Sequence, residues 1–585
     1  MIKSHVVRIG GASGAWGDSP IAVPQLLREG RLDYLVFDYL GERTLAMLAA
    51  ARSLDPDAGY APDFIQSMTA HLPEIMRQGV RIIANAGGVN PRSCAAALRR
   101  VASQLDLSPR IGLVTGEDAM VLAQQLGDLP DHLVSASAYF GAVTIAHALD
   151  AGADIVVTGR CVDSAPTLGA LMHEFGWRDS DHDLLAAGSL AGHVIECGCQ
   201  ATGALYTDWE DIPDWAGMGY PILEVEASGA FTVTKPDGTG GRVIVPAIAE
   251  QILYEVGDPS AYILPDVICD FTHVRLEQTG IDRVRVDGAR GSEPTSSYKV
   301  SITYQDGFNA HMQLTVIGFD ADRKARRAGE AILERSRHQM MAAGFADFDR
   351  HNIEVLGAED VYGPHRQLLV PRECVLRLSV SHQQASALLH FAAELGAAGI
   401  AYSPGVTGLG AKPVPVMNIR LTSRLIDKAA LVAAVEVDGQ PVEVRVPSGK
   451  GQAPIRPEPQ PESGAAIPGD WKEVPLIAIA HGRSGDKGDT SNIAVIARRP
   501  EYLPLIHQQV TPSRVAAYMA HLIRGKIRRF DVPGLDAVNF LCEEALDGGV
   551  AGSLRNDPWG KGYAQVLLSM PVRIPAELDA DRARG

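Results

Sequence analysis

The 585-residue chain lacks any uninterrupted apolar stretch of the roughly 18 residues that a membrane-spanning helix requires. It is also poor in cysteine, with seven residues and no paired CxxC framework, which argues against a disulfide scaffold. The opening MIKSHVVRIGGASG reaches a glycine-rich segment too early to leave room for the apolar core of a signal peptide. We therefore expect a cytoplasmic protein that has no membrane partner.

Positive charge is scarce as well, because 53 Lys and Arg face 70 Asp and Glu, for a net charge of −17. This deficit argues against nucleic acid as a partner, since sequence-independent binding needs cations facing phosphates. The deficit is uneven, at −19 over residues 1–470 and +2 over 471–585. The change falls at residues 451–470, where five prolines with Gly, Ser and Gln predict a linker.

The first part of the chain alternates apolar runs with amphipathic segments. Strand-like runs occur near 5–11, 32–38, 81–87, 110–116 and 153–159, and a helix-like segment follows each. Because these runs are apolar at consecutive positions, they predict a parallel sheet covered on both faces. The sequence therefore predicts a doubly wound α/β domain over residues 1–290.

Ligands of such sheets bind at the carboxyl ends of the strands, so the polar residues and glycines there are candidate substrate-binding residues. Glycine lets the backbone approach an anion closely, and Arg160 offers a charged donor. The alternative is that these glycines only form turns. The candidates are Gly10, Gly11, Ser13, Gly14, Asp18, Asp38, Asn85, Asn90, Thr158, Gly159, Arg160 and Asp163.

A dinucleotide site is a weaker interpretation of the same loops. Gly11, Gly14 and Gly17 do not follow the GxGxxG pattern, although Asp38 lies at about the spacing of a ribose-binding carboxylate. The sequence contains no GxxxxGK[ST] phosphate loop. We therefore predict no resident cofactor.

Residues 191–209, AGHVIECGCQATGALYTDW, concentrate groups that could perform acid-base or nucleophilic chemistry. His193 and Glu196 would share one face of a helix, and Cys197 follows them. Gly density favours a loop instead, and a buried Cys is usually inert packing. His193, Glu196 and Cys197 are nevertheless our candidate catalytic residues, without a metal.

From about residue 295 the pattern changes to that of an α+β lobe, predicted over 291–450. SSYKVSITYQ and HMQLTVIGF predict a pair of strands, and two amphipathic segments predict helices between further strands. We treat these helices as structural.

After the linker, residues 471–585 predict a small α+β domain. VPLIAIA and NIAVIA are strand-like and flank the polar segment HGRSGDKGDTS, which is too long for a plain hairpin turn. We interpret it as a binding or docking loop, and YAQVLLSM as a closing strand. The loop candidates are His481, Arg483, Asp486, Lys487 and Asp489.

Several long motifs resemble one known family. They include RIGGASGAWGDS, NAGGVNP, AGADIVVTGRCVDSAPTLGALMHEFGW, GHVIECGCQATG and TKPDGTGGRV. These segments resemble the acyclic terpene utilization AtuA-like proteins, and HGRSGDKGDTSNIAVIAR resembles the start of that family's C-terminal ferredoxin-like domain. The resemblance implies a role in degrading terpenoids or branched acids through coenzyme A thioesters, without implying a reaction.

Our leading hypothesis is a catabolic enzyme that acts on an acyl-CoA thioester or a branched carboxylate by hydratase or lyase chemistry. Coenzyme A would enter as part of an anionic small-molecule substrate, and we expect a homo-oligomer. The first alternative is a non-catalytic binding or assembly component that docks through HGRSGDKGD. The second is a nucleotide-dependent enzyme.

Overall fold

The computed structural model describes residues 6–28, 31–367, 370–452, 470–549 and 552–578. Nearly all of the predicted linker, 451–470, lies outside the described residues. Within the described part of the chain, no helix is both long and apolar enough to cross a membrane.

The beginning of the chain alternates strands and helices, as its apolar pattern predicts. The strands are β1 (Val6–Ser13), β2 (Tyr34–Phe37), β3 (Arg81–Gly88), β4 (Ile111–Thr115), β5 (Leu133–Ala138) and β6 (Ile155–Gly159). The helices are α1 (Ala22–Arg28), α2 (Glu42–Leu54), α3 (Pro62–Gln78), α4 (Pro91–Gln104), α5 (Met120–Gln125), α6 (Val143–Asp150), α7 (Ala165–Phe175) and α8 (His182–Ile195).

Five of these strands are parallel and lie side by side in the order β1, β2, β3, β6, β4. Their side chains alternate between two apolar cores, so that Leu35 and Phe37 of β2 enter one and Tyr34 and Val36 the other. A strand that buries both faces must be apolar at consecutive positions. This arrangement confirms the predicted α/β fold, but the sheet as a whole is mixed, because antiparallel strands flank its five parallel ones.

Antiparallel strands extend this sheet beyond β1. The elements that complete the N-terminal region, residues 6–292, are β7 (Ile222–Glu226), β8 (Phe231–Thr234), α9 (Val245–Leu253), β9 (Tyr262–Ile263), β10 (Ile268–Asp270), β11 (Arg275–Gly280), β12 (Arg283–Asp287) and β13 (Arg290–Ser292). β7 pairs with β1, and β8, β12 and β11 follow it outward. The parallel centre is therefore not an edge of the sheet.

The middle region, residues 297–442, builds a second sheet backed by two helices. Its elements are β14 (Ser297–Ile317), α10 (Ala321–Ala342), β15 (Arg350–Leu356), β16 (Glu373–His382), α11 (Ala385–Ala401), β17 (Val406–Leu409), β18 (Val416–Asp427), β19 (Ala434–Val437) and β20 (Gln440–Val442). β5 of the N-terminal region pairs with β14, and β19 of the middle region pairs with β4. Each region therefore contributes a strand to the sheet of the other.

One prediction for this region is wrong. The segments SSYKVSITYQ and HMQLTVIGF, predicted to pair with each other, are the two halves of the 21-residue strand β14. The intervening DGFNA does not form a hairpin turn; the strand has an irregularity between Gln305 and Phe308, with Gly307 at φ +72°. Each half then pairs with other strands, the first with β5 and β18 and the second with β16 and β17.

The C-terminal region, residues 471–578, is an α+β unit with its own apolar core. Its elements are β21 (Trp471–Pro475), β22 (Ala480–Lys487), β23 (Thr490–Ala497), α12 (Leu503–Gln509), α13 (Pro512–Tyr518), β24 (Ile527–Val532), β25 (Ala537–Cys542), α14 (Tyr563–Leu568) and β26 (Pro571–Pro575). The antiparallel sheet has the order β22, β23, β25, β24. Thr511 caps α13 by accepting a bond from the backbone N–H of Arg514, at 3.3 Å.

Two predictions for the C-terminal region are wrong. The polar segment HGRSGDKGDTS is no long loop, because most of it is strand β22 followed by a tight turn into β23. Its glycines allow close packing: a Cβ at Gly485 would lie 2.7 Å from Cγ of Glu255. YAQVLLSM contains helix α14, since its buried residues follow helical spacing, and the closing strand is β26.

Candidate functional site

A cavity of about 690 Å³ lies at the carboxyl ends of β1, β2 and β6 and is covered by the C-terminal region. This volume is typical of small-molecule sites, and the position follows the rule for parallel sheets. The C-terminal region contributes Asp486, Lys487, Trp559 and Lys561. The N-terminal region contributes the remaining walls, among them Gly14, Trp16, Asp38, Tyr39, Arg43, Arg160, Asp163, Glu196, Cys197, Gln200, Tyr254 and Glu255.

The candidate acid-base pair lies at the end of helix α8. The segment was expected to be a loop, but α8 continues through His193 to Ile195, and Glu196 is its C-cap. Glycine occurs in this helix because the backbone of a neighbouring segment packs closely against it. A Cβ at Gly192 would lie 2.6 Å from the Ser164 carbonyl oxygen. The helical spacing brings His193 Nδ1 to 3.0 Å from Glu196 Oε1.

The hydrogen bonds of His193 define how this pair holds protons. Its Nε2 lies 3.1 Å from the carbonyl oxygen of Ile252, which can only accept, so Nε2 must carry a proton. One further proton is then shared between Nδ1 and Glu196. Burial raises the pKa of Glu196, and the carboxylate more than offsets the effect of burial on His193, whose pKa is also raised.

Only one member of the pair reaches the cavity. Glu196 lines it, whereas His193 is 1% exposed and stands behind it. Glu196 can therefore exchange a proton with a bound molecule, and His193 can only act through Glu196.

Cys197 lines the cavity, but its surroundings disfavour the thiolate form. Burial and the nearby carboxylates Glu196 and Glu255 raise its pKa well above the usual range. The thiolate is the nucleophilic form of cysteine. Cys197 is therefore present at this site as a neutral thiol.

Arg160, at the end of β6, is a buried cation of the cavity wall. Its guanidinium donates to the Leu40 carbonyl and, at 2.8 Å, to Asp163, and it lies 4.2 Å from the ring centroid of Tyr139. Asp38 lies in the same charge cluster. Burial and Asp163 raise the pKa of Asp38 well above its usual value, although Arg160 lowers it.

Asn85 shapes this part of the wall from behind. It is fully buried, accepts a bond from the Tyr39 backbone N–H at 2.8 Å and donates to the Asp38 carboxyl group. Asn85 therefore orients two residues that line the cavity without lining it itself.

Most of the other candidates in the loop after β1 form hydrogen bonds within that loop and do not line the cavity. Asp18 accepts bonds from the backbone of Gly14 and the hydroxyl of Tyr220, at 2.8 and 2.6 Å, and Ser13 donates to the carbonyls of Ala15 and Asp38. These bonds fix the loop after β1. Gly14 alone of this group lines the cavity, and it must be glycine because a Cβ would lie 2.6 Å from the Cys197 backbone.

Five further candidates do not line the cavity. Asn90 caps α4 through Ser93 and donates to two carbonyls of the preceding loop. Gly10 and Gly11 let α1 and α8 pack on β1, and Gly159 packs against the Glu117 carboxyl group. The Thr158 hydroxyl donates to the Gly159 carbonyl.

The C-terminal region brings a second charge cluster into the cavity. Lys487 Nζ lies 2.5 Å from Glu255 Oε2, and Lys561 Nζ lies 3.0 Å from Asp486. Although burial alone would raise the pKa of Glu255, the two lysines lower it to about 2. Burial and the repulsion of Glu255 raise the pKa of Asp486 to about 6. Lys487 stays charged beside its partner, and 41% of its side chain is exposed.

The turn that carries Glu255 is held by two buried asparagines of the C-terminal region. Asn492 accepts from the Glu255 backbone N–H at 2.9 Å and donates to the Leu253 carbonyl at 2.7 Å. Asn539 donates to the carbonyls of Val256 and Gly257, both at 2.8 Å. These bonds hold Glu255 at φ +60°, a conformation that a residue with a side chain rarely adopts.

The remaining candidates of HGRSGDKGD lie outside the cavity. His481 and Arg483 contact the N-terminal region, and Asp489 binds a turn within the C-terminal region. His481 lies at 3.0 Å from the Tyr206 hydroxyl and 3.2 Å from Asp208, which also binds Arg498. Arg483 donates to Gln200 and to the Leu205 carbonyl. Asp489 binds the backbone of Leu546 and Gly548, outside the cavity. Only Asp486 and Lys487 of this segment enter the cavity.

Several polar cavity residues were not among the sequence candidates, including Gln200, Tyr254, Glu255 and Lys561. Lys561 stands between two glycines in PWGKGY, a signal similar to the one that drew attention to Lys487. Glu255 gave no local signal, because its role depends on contacts with β22 and β23. Among the described residues, no group of three or more His, Cys, Asp or Glu is arranged to hold a metal ion.

The comparisons with known proteins agree with this architecture. Residues 7–437 match the model of the acyclic terpene utilisation family protein AtuA, and residues 474–573 match that of the AtuA ferredoxin-like domain. No curated protein and no solved structure matches the chain.

Proposed function

This chain belongs to the AtuA family of acyclic terpene utilisation proteins, and we propose that it is an enzyme acting on a branched carboxylate or its coenzyme A thioester. The family places the chain in acyclic terpene utilisation. The reaction class we propose is proton transfer next to a carbonyl group, as hydratases, dehydratases and C–C lyases require.

The observation that carries this proposal is that Glu196 and Lys487 line the same cavity, although they come from different regions of the chain. A base that removes a proton beside a carbonyl leaves negative charge on the carbonyl oxygen. A cation facing that oxygen stabilises the charge as it develops. Glu196 supplies the first function and Lys487 the second.

The proton chemistry follows from the bonds of the pair. In its carboxylate form, Glu196 takes the substrate proton, and the electron pair of the C–H bond moves toward the carbonyl oxygen. His193 already carries a proton on Nε2, held by Ile252, and a proton on Nδ1, which it shares with Oε1 of Glu196, so the substrate proton goes to the other carboxylate oxygen of Glu196. Arg160 contributes positive charge to the same wall.

Deuterium exchange tests this proposal without knowledge of the complete reaction. A branched acyl-CoA thioester is incubated with the protein in D₂O, and loss of the proton beside the carbonyl is followed by NMR. Glu196→Gln should slow the exchange by about 100-fold or more, since general acid-base groups contribute about 10²–10⁴.

Glu330→Gln, an exposed change of the same type on α10, is the matched control and should exchange at the wild-type rate. Equal rates in Glu196→Gln and wild type would contradict the assignment of Glu196. Tight thioester binding without exchange in the wild type would favour the non-catalytic alternative.

A further inference from the structure

Asp38 directly follows strand β2 and lines the same cavity as Glu196. Its Oδ1 accepts two hydrogen bonds, one from the side-chain amide of Asn85 and one from the backbone N–H of Leu40, at 3.2 Å. Within the described part of the chain, Oδ2 forms no hydrogen bond. The protein therefore fixes the orientation of this carboxyl group through one oxygen and leaves the other free to bind a molecule in the cavity.

The cation beside Asp38 is bound to another carboxylate. Arg160 donates to Asp163 at 2.8 Å and to the Leu40 carbonyl, so Asp38 has no ion-pair partner among the described residues. Burial and the charge of Asp163 raise the pKa of Asp38 well above its usual value, although Arg160 lowers it. Asp38 is therefore held as a neutral acid, and because both N–H donors bind Oδ1, its proton lies on Oδ2.

Asp38 and Glu196 have opposite protonation states in one cavity. Glu196 is the carboxylate partner of a doubly protonated His193, whereas Asp38 is a neutral acid. Besides burial and Asp163, Glu196 raises the pKa of Asp38, which places the two carboxyl groups within electrostatic reach of each other. One carboxylate and one carboxylic acid in the same site can act together as a base and an acid.

We propose that Asp38 is the catalytic acid that protonates a hydroxyl group leaving from C3 of the substrate, so that the reaction is the dehydration of a 3-hydroxyacyl compound or its reverse. This inference rests on the proposed function, in which Glu196 removes the proton at C2. When the carbonyl group re-forms, the electron pair of that C–H bond becomes a C=C bond and the C–O bond breaks. The oxygen takes the Oδ2 proton and leaves as water, and proton exchange with solvent then restores both carboxyl groups. Cleavage of a C–C bond would instead need a base at this hydroxyl group.

The thioesters 3-hydroxybutanoyl-CoA and 3-fluorobutanoyl-CoA test the inference, with NMR in D₂O following both loss of the C2 proton and loss of the C3 substituent. Asp38→Asn keeps an oxygen for both N–H donors but has no acidic proton. It should slow dehydration by about 100-fold or more and leave C2 exchange within about threefold of wild type, which also shows that the variant folds. Fluoride leaves without a proton, so its elimination should also stay within about threefold of wild type. Asp38→Glu, which keeps an acid, should dehydrate the hydroxy substrate at least about tenfold faster than Asp38→Asn.

Asp179→Asn is the matched control, because Asp179 is exposed and lies outside the cavity, and all three of its rates should equal those of wild type. Dehydration by Asp38→Asn at the wild-type rate, or an equal loss of all three rates in both Asp38 variants, would overturn the inference. Exchange at C2 by wild type without any dehydration would also overturn it, and the proposed function would stand. Neither exchange nor elimination by wild type would contradict both.

Discussion

Asn492 Oδ1 of the C-terminal region accepts a hydrogen bond of 2.9 Å from the backbone N–H of Glu255 in the N-terminal region. Asn492 also donates to Leu253 and to the side chain of Asn539, at 2.7 and 2.9 Å. Two backbone groups of the turn and the Asn539 side chain thus depend on Asn492, and the turn positions the Glu255 carboxylate beside Lys487.

Asn492→Leu should therefore destabilise the protein. It leaves three buried polar groups without a partner, at a cost of about 1–3 kcal/mol for each group that water cannot reach. We expect the free energy of unfolding, measured by urea denaturation, to fall by about 2–5 kcal/mol. Asn556→Ala, an exposed change in the same region, should alter it by less than about 0.5 kcal/mol. A loss no greater than that of this control would show that the hydrogen bonds of Asn492 contribute little to stability.

His193→Phe should change the pH dependence of exchange. His193 lowers the pKa of Glu196, so its removal leaves burial to raise that pKa further. A carboxylate acts as a base only above its pKa, and the acidic limb of the rate profile should therefore move to higher pH. An unshifted limb with a merely lower rate would indicate a structural role for His193.

Lys487→Met should weaken the binding of an anionic substrate about ten- to hundredfold, because a charge-assisted hydrogen bond contributes about 1.5–3 kcal/mol. It also leaves Glu255 without its nearest cation, so the pKa of Glu255 should rise from about 2. Calorimetry with octanoate measures the first effect. Lys526→Met, an exposed change outside the cavity, provides the comparison and should bind as wild type. Equal affinities in the two variants would remove Lys487 from the site.

Glu250 should make stability depend on pH. It is 3% exposed, accepts a 2.6 Å bond from the Thr207 hydroxyl, and burial raises its pKa to about 8 although Arg483 lowers it. Between about pH 4.5 and 8 the folded protein keeps this proton and the unfolded chain loses it. The contribution of Glu250 to the free energy of unfolding therefore falls as pH rises, by about 1 kcal/mol per pH unit.

Glu250→Gln keeps an oxygen that can accept from Thr207 but cannot ionise. Urea denaturation at several pH values should give a flatter pH dependence for this variant between pH 5 and 8 than for wild type. Glu330→Gln should retain the wild-type slope, because Glu330 is exposed. Parallel curves for Glu250→Gln and wild type would show that Glu250 is ionised in the folded protein.

The local sequence pattern predicted the structure correctly wherever the burial of a single helix or strand determines it. Consecutive apolar residues in β2 and β6 predicted buried parallel strands, since both faces of these strands are covered. The same reasoning located Gly14, Asp38, Arg160 and Asp163 at strand ends, and the cavity lies there. The local pattern was misleading where packing against a distant segment determines the structure. The glycines of β22 are typical of a loop, yet they allow that strand to pack against Glu255.

The sequence by itself determined the parallel core, the acidic character of residues 1–470 and the spacing that places His193 and Glu196 on one helical face. Only the tertiary structure decided that Glu196 faces the cavity while His193 stands behind it, and that Lys487 and Lys561 complete a wall begun some 300 residues earlier. Periodicity reports which face of an element is buried. It carries no information on which distant element covers that face, because that choice depends on the packing of the whole chain.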